Sequence, residues 1–235
     1  MINTSMVAVC DILGFGSLVK RMPYSDLKGH IFTIVNLLTA ASIPPAQKHS
    51  NRFRVAHSFF SDTVLMYSLS DDKHGYQDLL TIVTYLIATP ILYPEYRFRA
   101  GISYGEFYHD PDNNVYAGKA LVDAHELEEM QDWCGGALTK DAENEIIKTN
   151  VDRTYLTRYD VPMKNGNTES HLVINWTQAD HKDIDQEYGW ITRPDDLSLT
   201  DEEMKKVENK LINMERFHLD KCVKCKAYRA TSKKN

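Results

Sequence analysis

Hydrophobic and polar residues alternate along the first 178 residues with two periods, one typical of strands and one typical of helices. Residues 6–11 and 63–68 are short apolar runs that favour buried strands, and the second is rich in β-branched and aromatic side chains. Residues 26–41 carry apolar side chains at helical spacing. Pro44 and Pro45 prevent that helix from continuing.

The same analysis extends to residue 176. It predicts further helices over 76–89, 118–133 and 141–148, and further strands over 52–58, 96–107, 136–140, 155–162 and 171–176. The predicted order is β-α-β-β-α-β-α-β followed by α-β-β. That order predicts an α+β fold with one central, mixed and mostly antiparallel sheet flanked by helices.

The pattern changes after Gln178, and we therefore predict two regions, 1–178 and 179–235. Residues 180–201 are polar and irregular. An amphipathic helix is predicted over 200–219, with Thr200 as its N-cap and Glu203 three residues later. The tail from 221 onward is basic. The second region is interpreted as an extension of the first.

The composition of the chain bounds the classes of function. Its 235 residues include 43% hydrophobic and 26% charged residues, typical of a globular protein, and the net charge is −6. An acidic protein binds nucleic acid and anionic membranes poorly in the absence of specific contacts, so neither is expected as a partner. No apolar run reaches the roughly 20 residues that span a bilayer. With no secretory leader pattern, we predict a cytoplasmic protein.

The cysteines do not predict a structural role. There are four of them, which is too few for a disulfide framework in a chain of this size. Cys222 and Cys225 have zinc-like spacing, but the chain lacks a second ligand pair, so zinc is not expected.

Two aspartates stand at the ends of predicted strands. Asp11 ends the strand over 6–11, and Asp62 lies near the tip of the hairpin formed by residues 52–68. A carboxylate at the end of a buried strand loses solvation, and two such groups repel each other unless a cation lies between them. Paired aspartates therefore predict an oxygen-ligand site for Mg²⁺ or Mn²⁺. Taken alone, an aspartate that follows a strand, such as Asp11, is more often a cap or turn residue than a metal ligand.

Five motifs follow one another in a fixed order. They are residues 11–15 (DILGF), the hairpin with Asp62, residues 99–105 (RAGISYG), the helix opened by Gly118, and residues 161–166 (VPMKNG). This order resembles the catalytic domain of the class III nucleotidyl cyclases over about residues 6–176. The resemblance implies the ferredoxin-like fold of that family.

The resemblance also implies a reaction and a metal site. Asp11 and Asp62 would hold two Mn²⁺ or Mg²⁺ ions, with the backbone carbonyl of Ile12 as a further ligand. The substrate would be a nucleoside triphosphate, whose ribose 3′-hydroxyl attacks the α-phosphate and releases pyrophosphate. Two-metal catalysis of in-line displacement fits such a reaction.

The family likeness assigns the phosphates to two segments. The backbone of Leu13, Gly14 and Phe15 would wrap the triphosphate, and Lys164 falls where the family places a lysine on the phosphates. Beside an Asn-Gly turn, Lys164 is equally explained as a solvated hairpin residue.

The helix opened by Gly118 departs from the family. The family commonly has an asparagine that contacts ribose and an arginine that stabilises the transition state, but this chain has Val122 and Glu126 there. The candidate replacements are Arg52, Arg54, Arg97, Arg99 and Lys119. Arg97 and Arg99 are favoured, because they lie on the strand before Gly101. The alternative is that these two arginines are edge-strand charges that limit aggregation.

The base-reading positions also depart from the purine cyclases. Ser58 lies four residues before Asp62, and Val115 lies three before Gly118. Together with residues 124–133, these departures resemble the bacterial Pycsar pyrimidine cyclases. That resemblance implies conversion of UTP or CTP to cyclic UMP or CMP as a signal in antiphage defence, with UTP as the favoured substrate.

The family builds its active site between two catalytic domains, so the resemblance implies a head-to-tail homodimer. Two alternatives to a pyrimidine cyclase stay open, a purine cyclase and a catalytically degenerate nucleotide-binding module. Glu128 and Glu129, at the end of the helix that departs from the family, are interpreted as a solvated face.

Overall fold

The structure is a computed structural model that describes residues 3–21, 23–41, 54–88, 96–178 and 201–222. In these ranges the strands are β1 Asn3–Ile12, β2 Val55–Phe60, β3 Thr63–Ser68, β4 Phe98–Asp110, β5 Val115–Ala117, β6 Gly136–Leu138, β7 Leu156–Pro162 and β8 Thr168–Ile174. The α-helices are α1 Phe15–Arg21, α2 Tyr24–Ala41, α3 Lys73–Ala88, α4 Lys119–Met130, α5 Lys140–Thr149 and α6 Asp201–Lys221. Thr200 and Cys225, for which the sequence predicted a cap and no zinc, lie outside the described residues.

One mixed sheet organises the molecule. Its strand order is β2-β3-β1-β4-β6-β8-β7, and β5 pairs with β4. The pairing of β4 with β6 is parallel, and every other pairing between these strands is antiparallel. The predicted α+β fold with a mostly antiparallel central sheet is therefore confirmed.

The alternation of side chains along β1 explains why helices cover both faces of the sheet. Met6, Ala8 and Cys10 belong to the larger core, which includes α3, whereas Val7 and Val9 belong to the smaller core against α4. Because successive strand residues point to opposite faces, a strand that is apolar throughout must be covered on both sides.

Helix α4 crosses the sheet at a very short distance. A Cβ atom at Gly101 on β4 would lie 2.0 Å from the carbonyl oxygen of Ala124 and 2.7 Å from the amide nitrogen of Glu128. Only glycine permits this approach. Gly101 therefore determines how close α4 lies to the end of β4.

The predicted element boundaries needed three corrections. Helix α1 was not predicted, because a seven-residue helix shows too little periodicity. The strand predicted over 96–107 extends further, because β4 runs to Asp110 and pairs there with β5. Helix α2 begins at Tyr24, two residues before the predicted start at residue 26.

The C-terminal helix α6 packs against the sheet domain. The Phe217 ring lies 5.1 Å from Trp133, 4.9 Å from Tyr159 and 6.1 Å from Trp176, measured between ring centroids. Leu211 is also buried. The division of the chain at residue 178 stays a prediction. Among the described residues, no helix is long and apolar enough to cross a membrane.

Candidate functional site

Asp11 and Asp62 are brought together by strand pairing. Asp11 pairs with Thr63 across β1 and β3, so it lies beside the residue that follows Asp62. The amide of Ile12 donates a hydrogen bond of 2.9 Å to the Asp62 carbonyl. Asp62 itself occupies the two-residue turn between β2 and β3, where Ser61 has a φ of 58°. The turn and the end of β1 therefore form one corner of the sheet.

The electrostatics of this corner disfavour two bare carboxylates. Burial raises the pKa of Asp11, and the charge of Asp62 raises it further. The charge of Arg99 acts in the opposite direction. The negative charge of Asp62, which raises the pKa of Asp11, would also favour a divalent cation at this corner.

Arg99 lies opposite Asp11 on β4 and is buried. Its Nη2 atom lies 3.3 Å from Oδ2 of Asp11, and its Nη1 donates a hydrogen bond of 3.0 Å to the Gln131 carbonyl. The same guanidinium forms an ion pair with Glu128. Because β4 pairs with both β1 and β6, the edge-strand interpretation of Arg99 is wrong.

The sequence analysis predicted the wrong environment for Glu128. The structure buries its side chain to 4% exposure, whereas its neighbour Glu129 keeps 63%, so the predicted solvated face holds only for Glu129. The close approach of α4 at Gly101 brings Glu128 onto Arg99. Burial raises the pKa of Glu128, and the charge of Arg99 partly offsets that effect. The only sequence signal was its helical spacing from the apolar Ala124.

Arg97 precedes β4 at the same end of the sheet. Its carbonyl accepts a hydrogen bond of 2.8 Å from the Leu13 amide, which ties the segment after β1 to β4. Burial raises the pKa of the Cys134 thiol to about 11, and the charge of Arg97 lowers it. Arg97 is therefore a buried cation near this corner, and its edge-strand interpretation does not hold either.

The segment predicted to wrap phosphates forms the turn between β1 and α1. Gly14 is exposed and has a φ of 82°, a left-handed conformation that favours glycine. Leu13 is half-buried, and the side chain of Phe15 is buried in the larger core. The turn therefore presents backbone beside Asp11, and its role in phosphate binding stays a prediction.

Lys164 lies in the turn between β7 and β8, next to the C-terminal end of α4. Its amide donates a hydrogen bond of 2.8 Å to the Met130 carbonyl, and its side chain is exposed. The charge of Lys164 lowers the pKa of Asp11, so it acts on the aspartate corner. An open pocket of about 410 Å³ is lined by Glu126, Glu129, Met130, Met163, Lys164 and Asn165.

The predicted base-reading positions, Ser58 and Val115, and the predicted ribose position, Val122, lie on three different elements. Ser58 pairs with Leu65 two residues before the end of β2 and shares the sheet face of Asp11, as the register with β3 and β1 requires. Val115 on β5 and Val122 on α4 are exposed at 45% and 52%. Of these three residues, only Ser58 lies on the hairpin that carries Asp62.

One cation near the site was missed by the sequence analysis. Lys210 is half-buried on α6, and its charge lowers the pKa of Asp11. Burial lowers the pKa of Lys210, and the charge of Arg99 lowers it further. The sequence offered no signal for this residue, because only the docking of α6 brings it to the corner.

The donor set at the corner fits a metal that is shared with a substrate. Among the described residues, no group of three or more His, Cys, Asp or Glu side chains is arranged to hold a metal ion. Asp11 and Asp62 nevertheless supply two carboxylates at this corner of the sheet. Mg²⁺ is commonly bound by one or two carboxylates together with substrate phosphates, so this smaller set fits such an ion.

Comparisons with known proteins identify the fold. No family model matches the chain, and no curated protein does. The catalytic core of a rhodopsin-guanylyl cyclase with converted specificity, in complex with ATPαS, matches with a TM-score of 0.56 and 12% identity over 74% of this chain and 96% of that one. A non-canonical dimeric guanylyl cyclase domain from the aquatic fungus Blastocladiella emersonii matches with a TM-score of 0.52 and 15% identity, over 72% and 95%. The chain therefore has the fold of the class III adenylyl and guanylyl cyclase catalytic domains.

Proposed function

We propose that this protein is a metal-dependent nucleotidyl cyclase that converts a pyrimidine nucleoside triphosphate, UTP or CTP, to its 3′,5′-cyclic monophosphate and pyrophosphate. The observation that carries the proposal is the corner where the end of β1 meets the β2–β3 turn. There Asp11 lies beside Thr63, and the Ile12 amide binds the Asp62 carbonyl at 2.9 Å. The cyclase fold supports the same assignment.

Asp11 and Asp62 would hold two Mn²⁺ or Mg²⁺ ions, with the carbonyl of Ile12 as a further ligand. Bound there, such ions lower the pKa of an attacking hydroxyl and offset the charge of a leaving polyphosphate. Arg99 keeps Asp11 available as a ligand, because its positive charge lowers the pKa of that carboxyl. Glu128 and the Gln131 carbonyl hold the guanidinium in place.

The phosphates would lie over the turn formed by Leu13, Gly14 and Phe15, with Lys164 binding them from the β7–β8 turn. A transition-state cation remains to be assigned, since Glu126 stands at the family's arginine position. Arg99 and Arg97 are the buried cations of this corner and are our candidates for that role. An arginine in such a role contributes about 10³–10⁵ in rate in related phosphoryl transfer.

The pyrimidine preference rests on the base-reading positions. Ser58 is small and neutral, and Val115 is apolar, so neither supplies the charged contact that purine cyclases often carry.

The role in antiphage signalling rests on the likeness of residues 124–133 to the Pycsar cyclases and stays a prediction.

We further propose that the protein acts as a head-to-tail homodimer. The fungal guanylyl cyclase domain named above is dimeric, and the exposed apolar side chains of Val122 and Met130 on α4 would be covered in such a dimer. Helix α4 is also where the family places residues that act on the substrate of the partner domain.

A second candidate function is nucleotide binding without turnover. It is favoured by one observation, namely that the open pocket beside Lys164 is lined by Glu126 rather than by an arginine. A carboxylate at that point repels a triphosphate in the transition state instead of stabilising it.

The test is incubation of the purified protein with Mn²⁺ and each of the four radiolabelled nucleoside triphosphates in turn. We expect cyclic product and pyrophosphate from UTP or CTP, and loss of both in Asp62→Asn but not in the exposed control Asp112→Asn. Binding of all four nucleotides with release of pyrophosphate from none would support the binding module instead. Turnover of ATP or GTP alone would contradict the pyrimidine assignment.

A further inference from the structure

Three consecutive backbone carbonyls at residues 130–132 anchor three different elements of the molecule. The first accepts the Lys164 amide at 2.8 Å, and the second accepts Nη1 of Arg99 at 3.0 Å. The third accepts Nδ2 of Asn213, on α6, at 2.7 Å. This short segment therefore holds the β7–β8 turn, strand β4 and the C-terminal helix at one place, and each of them carries a cation.

The cation that α6 contributes is Lys210. It lies three residues before Asn213, so both side chains share one face of the helix. The helix is fixed in this orientation by the burial of Leu211 and Met214 and by the contact of Phe217 with Trp133. Lys210 is thus held half-buried beside the segment that binds Arg99.

Lys210 differs from Arg99 in having no carboxylate partner of its own. Arg99 is ion-paired with Asp11 and Glu128, whereas Lys210 forms no ion pair with any residue that the structure describes. The charge of Asp132 raises the pKa of Lys210, and the charges of Arg99 and Lys164 lower it. The charge of Lys210 in turn lowers the pKa of Asp11.

A half-buried ammonium group beside two further cations is unfavourable in the absence of an anion. The Lys164 amide and the Asn213 side chain bind the carbonyls of Met130 and Asp132, so the elements that carry Lys164 and Lys210 meet at this one segment. An anion bound between them would satisfy both groups, and a polyphosphate has the charge and the acceptor atoms to do so.

We propose that Lys210 is a phosphate-binding residue, which forms with Lys164 a cationic subsite for the polyphosphate end of the nucleotide and for released pyrophosphate. The inference rests on the proposed cyclase function for the identity of its ligand. It gives the C-terminal helix a task in the active site, because α6 completes a subsite that the sheet domain alone leaves without its second lysine.

The test uses the full chain and pyrophosphate as the probe. Binding of pyrophosphate in the presence of Mn²⁺ is measured by calorimetry for the wild type, Lys210→Met, Lys210→Arg and the control Lys205→Met, which alters an exposed lysine of the same helix. We expect Lys210→Met to weaken binding about tenfold or more, since it removes a charge-assisted hydrogen bond. Lys210→Arg should stay within about threefold of the wild type, and Lys205→Met should be unchanged.

Thermal unfolding of each variant separates a loss of the subsite from a loss of fold. Equal pyrophosphate affinity in the wild type and in folded Lys210→Met would overturn the inference, as would absence of binding by the wild type. A loss of affinity confined to Lys210→Met would support it even if no triphosphate were turned over, a result that would overturn the proposed function alone. In an active enzyme, Lys210→Met should also raise KM for the triphosphate, and Lys210→Arg should restore it.

Discussion

Arg99 lies directly opposite Asp11 on the neighbouring strand, and its guanidinium lies 3.3 Å from that carboxylate. Its other contacts, to Glu128 and to the Gln131 carbonyl, come from the end of α4 and the residue after it. The aspartate corner of the sheet is therefore connected to α4 through one buried cation. The orientation of Asp11 depends on that connection.

Arg99→Met should destabilise the protein strongly. It leaves Asp11 and Glu128 without the cation between them, and breaking a buried ion pair from one side costs about 3–5 kcal/mol. Urea denaturation measures the change in the free energy of unfolding. The exposed Arg153→Met serves as the control and should change stability by less than about 0.5 kcal/mol.

The double variant Arg99→Met, Glu128→Leu tests whether the ion pair is the cause. The double variant lacks one of the two carboxylates that Arg99→Met leaves unpaired. Its loss of unfolding free energy should therefore be smaller than the sum of the losses in the two single variants, by about 0.5–3 kcal/mol. Additive effects would contradict the proposed connection between α4 and β4.

Glu128 should make folding stability depend on pH in a defined direction. Burial raises its pKa in the folded state, so the folded protein holds the proton more tightly than the unfolded chain does. The contribution of Glu128 to stability therefore falls as pH rises from its ordinary pKa through its raised one, and is constant above that range. The difference in unfolding free energy between the wild type and Glu128→Gln isolates this dependence.

Glu129→Gln is the matched control, because its side chain is 63% exposed. Its difference from the wild type should be nearly flat over the same acidic range. If the difference curve for Glu128→Gln were equally flat, or rose with pH, the burial of this carboxyl would be disproved.

Gly101→Ala should destabilise the protein by about 1–3 kcal/mol or prevent it from folding. The added Cβ would lie 2.0 Å from the Ala124 carbonyl oxygen, a backbone atom that cannot move without shifting α4. Gly16→Ala, in helix α1, meets nothing within 4 Å and should be neutral or stabilising by up to about 1 kcal/mol. Thermal or urea unfolding of both variants measures the contrast.

The same shift of α4 should weaken the contact between Glu128 and Arg99. A folded Gly101→Ala protein should therefore show a stronger pH dependence from Glu128 than the wild type, because the charge of Arg99 would offset less of the rise in its pKa. A fully stable variant with the wild-type dependence would mean that α4 does not lie as close to β4 as described.

The aspartate corner was predictable because strand periodicity and hairpin chemistry decide it locally. A buried run that ends at Asp11 and a tight hairpin at Asp62 bring the two residues together in any sheet where β1 and β3 are neighbours. The ferredoxin-like fold was implied only by the resemblance to the cyclases, since periodicity alone does not specify which strands pair.

The cations and carboxylates around the corner were less predictable. Glu128 and Lys210 have ordinary helical positions in the sequence, and their burial results from the packing of α4 and α6 on the sheet. Tertiary contacts between residues 29 or more positions apart, such as Arg99 with Glu128, leave no local pattern. The β4–β5 hairpin was missed for a different reason. Its turn includes Asn114 in a left-handed conformation, and the polar residues around it are typical of an ordinary loop.

The most direct test of the account is Mn²⁺ binding by the aspartate corner, measured by electron paramagnetic resonance in titrations of the wild type, Asp11→Asn, Asp62→Asn and the exposed control Asp112→Asn. The account predicts that the wild type and Asp112→Asn bind Mn²⁺ alike, and that each of the other two variants loses at least about tenfold in affinity. Unchanged Mn²⁺ affinity in both Asp11→Asn and Asp62→Asn would contradict the central claim that these two carboxylates hold the metal.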